Sequence, residues 1–138
     1  MNNIKNNKKK YPKVSVKAVF LAGNRVMYHK TKDGIRDIPG GHIEFGETIM
    51  QTLQRELKEE LGLYLRKNPK LLYAWSYISR DRSAQRIYIV YLINFGKKVP
   101  NLIHKERNDI EFIWLEKKDI KKQHFLPEME KLLLKAFD

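Results

Sequence analysis

The 138-residue chain carries 42% hydrophobic and 32% charged residues, the balance of a soluble globular protein of one-domain size. No apolar run approaches the ~20 residues a helical membrane span requires, and the absence of cysteine removes disulfides, thiolate zinc sites and thiol nucleophiles together. Lys and Arg outnumber Asp and Glu by 28 to 16, and the resulting +12 surface attracts polyanions, whether nucleotides, nucleic acid or anionic lipid, without naming one.

Residues 1–13 are polar and rich in lysine (Lys5, Lys8, Lys9, Lys10), and no apolar stretch follows that would form the core of a secretory signal. They read as a flexible basic tail on a cytoplasmic protein, ahead of a domain spanning 14–138. The segment 14–22 is alternating and β-branched, and Gly23-Asn24 turns it into 25–30, the pattern of a hairpin. Asp33-Gly34 marks another turn before a short segment at 35–38, and Pro39-Gly40-Gly41 breaks regular structure.

From 48 to 61 the apolar residues recur at helical spacing. Thr48 with Gln51 three residues on forms a capping-box pair, and Gly62 stands ready as a left-handed C-terminal cap. The aromatic and β-branched runs 71–80 and 86–95, split by a polar turn, predict a long antiparallel pair, and a further strand is expected at 110–115. After Pro127, Met129, Leu132, Leu133, Ala136 and Phe137 mark an amphipathic closing helix. Strands before, around and after a helix indicate a mixed α/β layer fold.

On the helix over 48–61, Ile49, Leu53 and Leu57 form the core stripe, widened by Met50 and Leu61. Glu56, Glu59 and Glu60 at i, i+3 and i+4 gather on one side, with Glu60 projecting between Ile49 and Leu53. Three like charges repel there, and the helix macrodipole disfavours anions in the last turn. Such a cluster suits a hard cation, Mg²⁺ or Mn²⁺. It is also compatible with a solvated charged face, in which Arg55 pairs with Glu59.

The surroundings decide between them. Gly41, five residues, Glu47, seven residues, then Arg55-Glu56-Leu57-Lys58-Glu59-Glu60-Leu61-Gly62-Leu63 resembles the Nudix box at every defined position, over 41–63. The order of the flanking elements is similar to that of MutT-like Nudix domains from about 14 to 137. The resemblance implies an α/β/α sandwich with a mixed sheet and a loop-helix-loop catalytic box. It implies Mg²⁺-dependent hydrolysis of a phosphoanhydride in a nucleoside diphosphate linked to another moiety, a nucleoside triphosphate or related nucleotide foremost, by a monomer or homodimer.

Under that resemblance Glu56, Glu59 and Glu60 hold the metal, with a backbone carbonyl at Gly40. Glu47 braces the loop and Arg55 orients Glu59. The general base is Glu59 or one of the later acids Glu106, Asp109 and Glu111. Tyr77, Ile78 and Ser79 stand where ADP-sugar enzymes of the family carry a proline, which argues against ADP-ribose. Phe45, Tyr73, Trp75 and Tyr77 either stack on a base or fill a core. Arg25, Arg36 and His42 either contact phosphates or serve the surface. Two alternatives remain open: a 5′-end RNA pyrophosphohydrolase, which the basic tail suits, and a non-catalytic nucleotide-binding module, against which the intact glutamates argue.

Overall fold

The computed structural model describes residues 9–138. The part of the basic tail at 1–8 therefore lies outside the described residues. Along the chain come β1 (Lys13–Ala22), β2 (Arg25–Lys30), β3 (Arg36–Asp37), β4 (Gly40–His42), α1 (Ile49–Leu61), β5 (Lys70–Ile78), β6 (Gln85–Asn94), β7 (Glu111–Glu116) and α2 (Pro127–Lys135). Two short 3₁₀ turns, Lys117–Asp119 and Lys121–Gln123, precede α2.

Strand β1 organises the sheet because it is used on both edges. It runs parallel to β6 from Lys13↔Arg86 to Leu21↔Asn94. On its other edge the C-terminal end pairs antiparallel with β2 and the N-terminal half with β4. β5 extends the sheet beyond β6, while β3 and β7 pair with β2. With α1 against one face of β1 and the C-terminal segment against the other, inward positions occur on both sides of the strand, which explains its apolar run over 18–22.

Val16, Ala18 and Phe20 of β1 pack with Met27 against Leu53, Leu57 and Leu61 of α1. Val19, Tyr28 and Val90 lie in the other cluster with Leu132, Leu133 and Ala136 of the C-terminal segment. Helices thus cover both faces, the expected α/β/α sandwich. Leu53, Leu57 and Leu133 are fully buried, each contributing ~1.5–3 kcal/mol of burial.

Both ends of α1 follow from local chemistry. Thr48 Oγ1 accepts from the Gln51 N–H at 3.1 Å, and Gln51 Oε1 accepts from the Thr48 N–H at 2.8 Å. Gly62 closes the helix at φ +67°, a conformation without steric cost only for glycine. The apolar stripe is shifted from its expected place. Ile49 is 37% exposed while Thr52 is fully buried, its hydroxyl donating to Thr48 O and Glu47 Oε1.

The break expected at Pro39-Gly40-Gly41 is instead a short strand, β4. β2 leaves the N-terminal half of β1 unpaired, and that free edge captures Gly40–His42 despite their poor strand propensity. The segment expected at 35–38 contracts to Arg36–Asp37, β2 keeps its expected bounds, and β1, β5, β6 and β7 shift by one or two residues. Among the described residues no helix is long and apolar enough to cross a membrane.

Candidate active site

Two glycines bring the helix acids against the sheet. A Cβ on Gly41 would fall into the Glu56 carboxylate, and one on Gly40 would run into the β1 backbone at Val16 and Lys17. Glu56 is therefore seated in a cradle that only glycine leaves open. The Gly40 N–H donates to Glu60 Oε2 at 3.4 Å. Burial first, and the charge of neighbouring Glu56 after it, push the Glu60 carboxyl up to about 8, against the opposing pull of that N–H.

Arg55 is the hub of the box. Its Nε and Nη2 donate to Glu47 at 2.6 and 3.0 Å, Nη1 donates to Glu56 Oε1 at 2.9 Å, and Nη2 also donates to the His42 carbonyl at 3.0 Å. Glu59 lies farther off at 3.5 Å. Arg55 thus orients Glu47 and Glu56 more closely than the Glu59 expected from the spacing. Glu47 accepts in addition from the Glu44 N–H and Thr52 Oγ1, which closes the loop before α1. Its carboxyl is held at about 2, chiefly by the Arg55 hydrogen bonds.

Glu56 and Glu60 are half-buried together, whereas the Glu59 side chain is 48% exposed. Among the described residues no three His, Asp or Glu side chains already form a cage for an ion. The donor set nonetheless fits a hard divalent cation. Two carboxylates share a partly desolvated position, and Glu60 there lacks the positive charge its burial calls for. Glu59 lines a separate depression with Gln51, Gln54, Arg55, Lys58 and Tyr64.

A cleft of about 570 Å³ wraps the Gly40–Gly41 edge, lined by the carboxylates of Asp37, Glu44 and Glu56 and by Lys17, His42, Arg86 and Tyr88. In the adjoining sheet Arg86 lies between Lys13 and Tyr77, and Tyr88 between Ser15 and Trp75. Lys17 donates to both Asp37 oxygens at 3.0 and 2.9 Å. His42 sits 3.1 Å from Ser15 Oγ through Nδ1 and 3.5 Å from Arg86 through Nε2. Burial, then Arg86, Lys13 and Lys17, lower its pKa, so the ring is neutral at pH 7. Arg86 can only donate, which leaves the proton on Nδ1, facing Ser15.

The structure separates the residues expected to bind substrate. His42 lines the cleft, and Trp75 stacks on Tyr88 at 4.6 Å with Tyr73 behind it at 5.8 Å. Tyr77 is 51% exposed beside Arg86. Phe45 is fully exposed on the 44–47 turn, away from the cleft lining. Arg25 lies by Trp114 and Glu116 at the end of β7. Arg36 covers the Phe125 ring at 4.3 Å and donates to the carbonyls of Gln123 and His124, clamping the segment before α2.

Of the later acids, Asp109 is bound by Arg107 at 2.6 and 2.8 Å and Glu111 lies opposite Lys30 in the β2–β7 ladder. Glu106 follows Lys105, whose N–H donates to the Glu60 carbonyl at 2.6 Å. Sequence reasoning missed Ser15, Lys17, Arg86 and Tyr88. A signal for two of them existed: Ser15 and Lys17 are polar interruptions in an otherwise apolar central strand.

The description NUDIX domain matches residues 11–136. The chain belongs to the Nudix family. This Nudix chain is similar to the ADP-ribose pyrophosphatase of Methanocaldococcus jannaschii, 34% identical over 88 residues that cover 61% of this chain and 52% of that protein. It thus spans about half the length of that curated relative. Among solved structures it resembles the MutT Nudix hydrolase of Burkholderia pseudomallei, with TM-score 0.73, 22% identity and coverage of 94% and 100% of the two chains. It also resembles the Nudix domain of Shewanella oneidensis NrtR complexed with ADP-ribose, with TM-score 0.70, 18% identity and coverage of 98% and 92%. These likenesses show the Nudix fold.

Proposed function

We propose that the protein is a divalent-metal-dependent pyrophosphohydrolase cleaving the phosphoanhydride of a nucleoside diphosphate linked to another moiety. The observation that carries this reading is the seating of Glu56 and Glu60 on the Gly40–Gly41 edge, beside a cleft that Lys17, His42 and Arg86 line together with Glu56. Carboxylates and cations on one cleft are the two parts a bound diphosphate needs, one for its counter-ion and one for its oxygens.

A Mg²⁺ or Mn²⁺ ion held by Glu56, Glu59, Glu60 and the Gly40 backbone would neutralise charge at phosphorus and acidify a water. Arg86 and Lys17 bind non-bridging phosphate oxygens, Lys17 leaving part of its contact with Asp37. His42, fixed by Ser15, holds Arg86 in place. Arg55 keeps Glu56 in one orientation. Glu59, the most exposed of the three acids, takes the proton of the attacking water. The water oxygen bonds to phosphorus, the bridging P–O bond breaks, and its electron pair leaves with the departing phosphate.

The Tyr88–Trp75 stack offers the base an aromatic surface. Tyr77, Ile78 and Ser79 in place of a proline favour a nucleoside triphosphate. The similarity to an ADP-ribose pyrophosphatase favours a nucleoside diphosphate sugar, and the two share the part that the cleft fits. A screen of nucleoside triphosphates, dinucleotides and nucleotide sugars, scored by phosphate release with a coupling phosphatase, tests the reading. Turnover in Mg²⁺ or Mn²⁺ that vanishes in excess chelator is expected. Turnover of none of them, or full turnover in chelator, sinks it.

A further inference from the structure

A second depression of about 430 Å³ lies next to the cleft, between the residues leading into β1 and the β5–β6 hairpin tip. Lys10, Lys13, Arg82 and Arg86 line it, with Tyr11 and Ile78. None of the four cations has a carboxylate within 4.0 Å among the described residues. The two segments that form the groove, 9–13 and 79–86, carry six cations against one carboxylate, Asp81. That carboxylate faces the turn, where it accepts from Ser79 Oγ and from the Ser83 N–H and Oγ. The tied turn sets Arg82 at φ +61°.

Arg86 lines both depressions, so groove and cleft adjoin at its side chain. Exposed rings flank the route: Tyr11 is 73% exposed, and Tyr77 lies beside Arg86. Unpaired cations spaced along a groove with sequence-tolerant aromatic faces are what a single-stranded polynucleotide requires. A mononucleotide in the cleft would leave the groove empty.

We propose that the groove of Lys10, Lys13 and Arg82 binds the phosphate backbone of single-stranded RNA whose 5′ end enters the catalytic cleft past Arg86. This rests on the pyrophosphohydrolase reading for the cleft, but the groove itself needs no chemistry to bind. The chain's excess of positive charge then has a local use.

The test has two arms on the full chain. In the first, a 3′-labelled 12-nucleotide RNA with a 5′-hydroxyl, which has no anhydride to cleave, is titrated by fluorescence anisotropy at several salt concentrations. The triple variant Lys10→Ala, Lys13→Ala, Arg82→Ala is expected to bind at least ~10-fold more weakly, with a log–log salt slope shallower by about 2 for the three contacts removed. Arg82→Glu alone should weaken binding too, and these exposed positions leave the melting curve in place.

In the second arm, the triple variant should raise KM for 5′-triphosphorylated RNA while leaving kcat, and both constants for adenosine triphosphate, within about twofold. Equal RNA affinity in parent and triple variant overturns the proposal, as does an RNA affinity no higher than that for adenosine triphosphate. If no anhydride is cleaved while the variants still lose RNA binding, the groove stands and the catalytic reading falls.

Discussion

Arg55 and Glu47 meet fork to fork, with Nε at 2.6 Å from one carboxylate oxygen and Nη2 at 3.0 Å from the other. The pairing leaves Nη1 free for Glu56, so one planar cation fixes the loop before α1 and the Glu56 carboxylate at once. A lysine brings the charge without the fork. Arg55→Lys is expected to lower activity by ~10–100-fold and to weaken apparent Mg²⁺ affinity, while the chain stays folded. Metal-dependent turnover and a melting curve check it; unaltered turnover would remove Arg55 from the positioning role.

The same pair sets an acid dependence. The Glu47 carboxyl is held at about 2, below its ordinary 4.5, so its contribution to stability is full above pH 4.5 and is lost as pH falls toward 2. Glu47→Gln should flatten that part of the stability profile and leave the neutral range less affected. Asp81 and Asp109, also depressed, keep some acid sensitivity in the variant. Acid unfolding followed by circular dichroism tests this, and an unchanged slope between pH 4.5 and 2 would refute it.

The adjacent glycines should fail differently. Gly41 has an ordinary backbone conformation, and an added methyl meets only the end of the Glu56 side chain. Gly41→Ala should therefore fold and melt near the parent while activity drops by ~10-fold or more, because Glu56 is displaced. Gly40, at φ +133° and against β1 backbone, should lose ~1–3 kcal/mol as Gly40→Ala. Equal stability of the two variants would mean the β4 edge is looser than described.

Much of this site is written in local sequence, and much is not. The two ends of α1 could be read because Thr48, Gln51 and Gly62 act on backbone groups within a few residues. The glycine edge could not, because β4 exists only through an edge of β1 left open by β2. Lys17 and Arg86 converge through a parallel pairing of strands some seventy residues apart in sequence, which no local pattern carries. Arg36 was indistinguishable from a phosphate ligand in sequence, since its partners Gln123 and His124 come from the far end of the chain.

Glu60 carries a cost that a bound cation would relieve. Its carboxyl is raised to about 8, so without metal its favourable neutral form is lost as pH rises from 4.5 through 8. Glu60→Gln in chelator at pH 8 should match or exceed the parent in stability, by up to ~1 kcal/mol for its like-charge neighbours. Activity should fall by at least ~10²-fold, and Mg²⁺ should raise the parent's melting temperature more than the variant's. A less stable metal-free variant that turns over normally would make Glu60 a structural residue.

His29 is a second buried strain on stability. Both ring nitrogens are shut off from solvent with no full hydrogen bond. Desolvation lowers its pKa from 6.5, against the raising effects of Asp37 and the Ile38 backbone and with Lys17 and His104 adding to the decrease. The unfolded chain binds the proton more readily, so stability falls as pH drops below 6.5. His29→Phe, beside Phe112, should therefore stabilise more at pH 5.5 than at pH 8. Parallel melting curves at the two pH values decide it; destabilisation at both would show that the ring is used.

The stacking of Trp75 on Tyr88 makes the protein its own spectroscopic probe. The chain has two tryptophans, and they lie against opposite faces of the sheet: Trp75 on the α2 side behind a ring that lines the cleft, Trp114 on the α1 side. With Trp114 replaced by phenylalanine, the remaining indole emission comes from a single site one ring removed from the cleft. A base entering against Tyr88 then changes the quenching of that one fluorophore, so occupancy can be followed in real time on unlabelled protein, whether or not the occupant is cleaved.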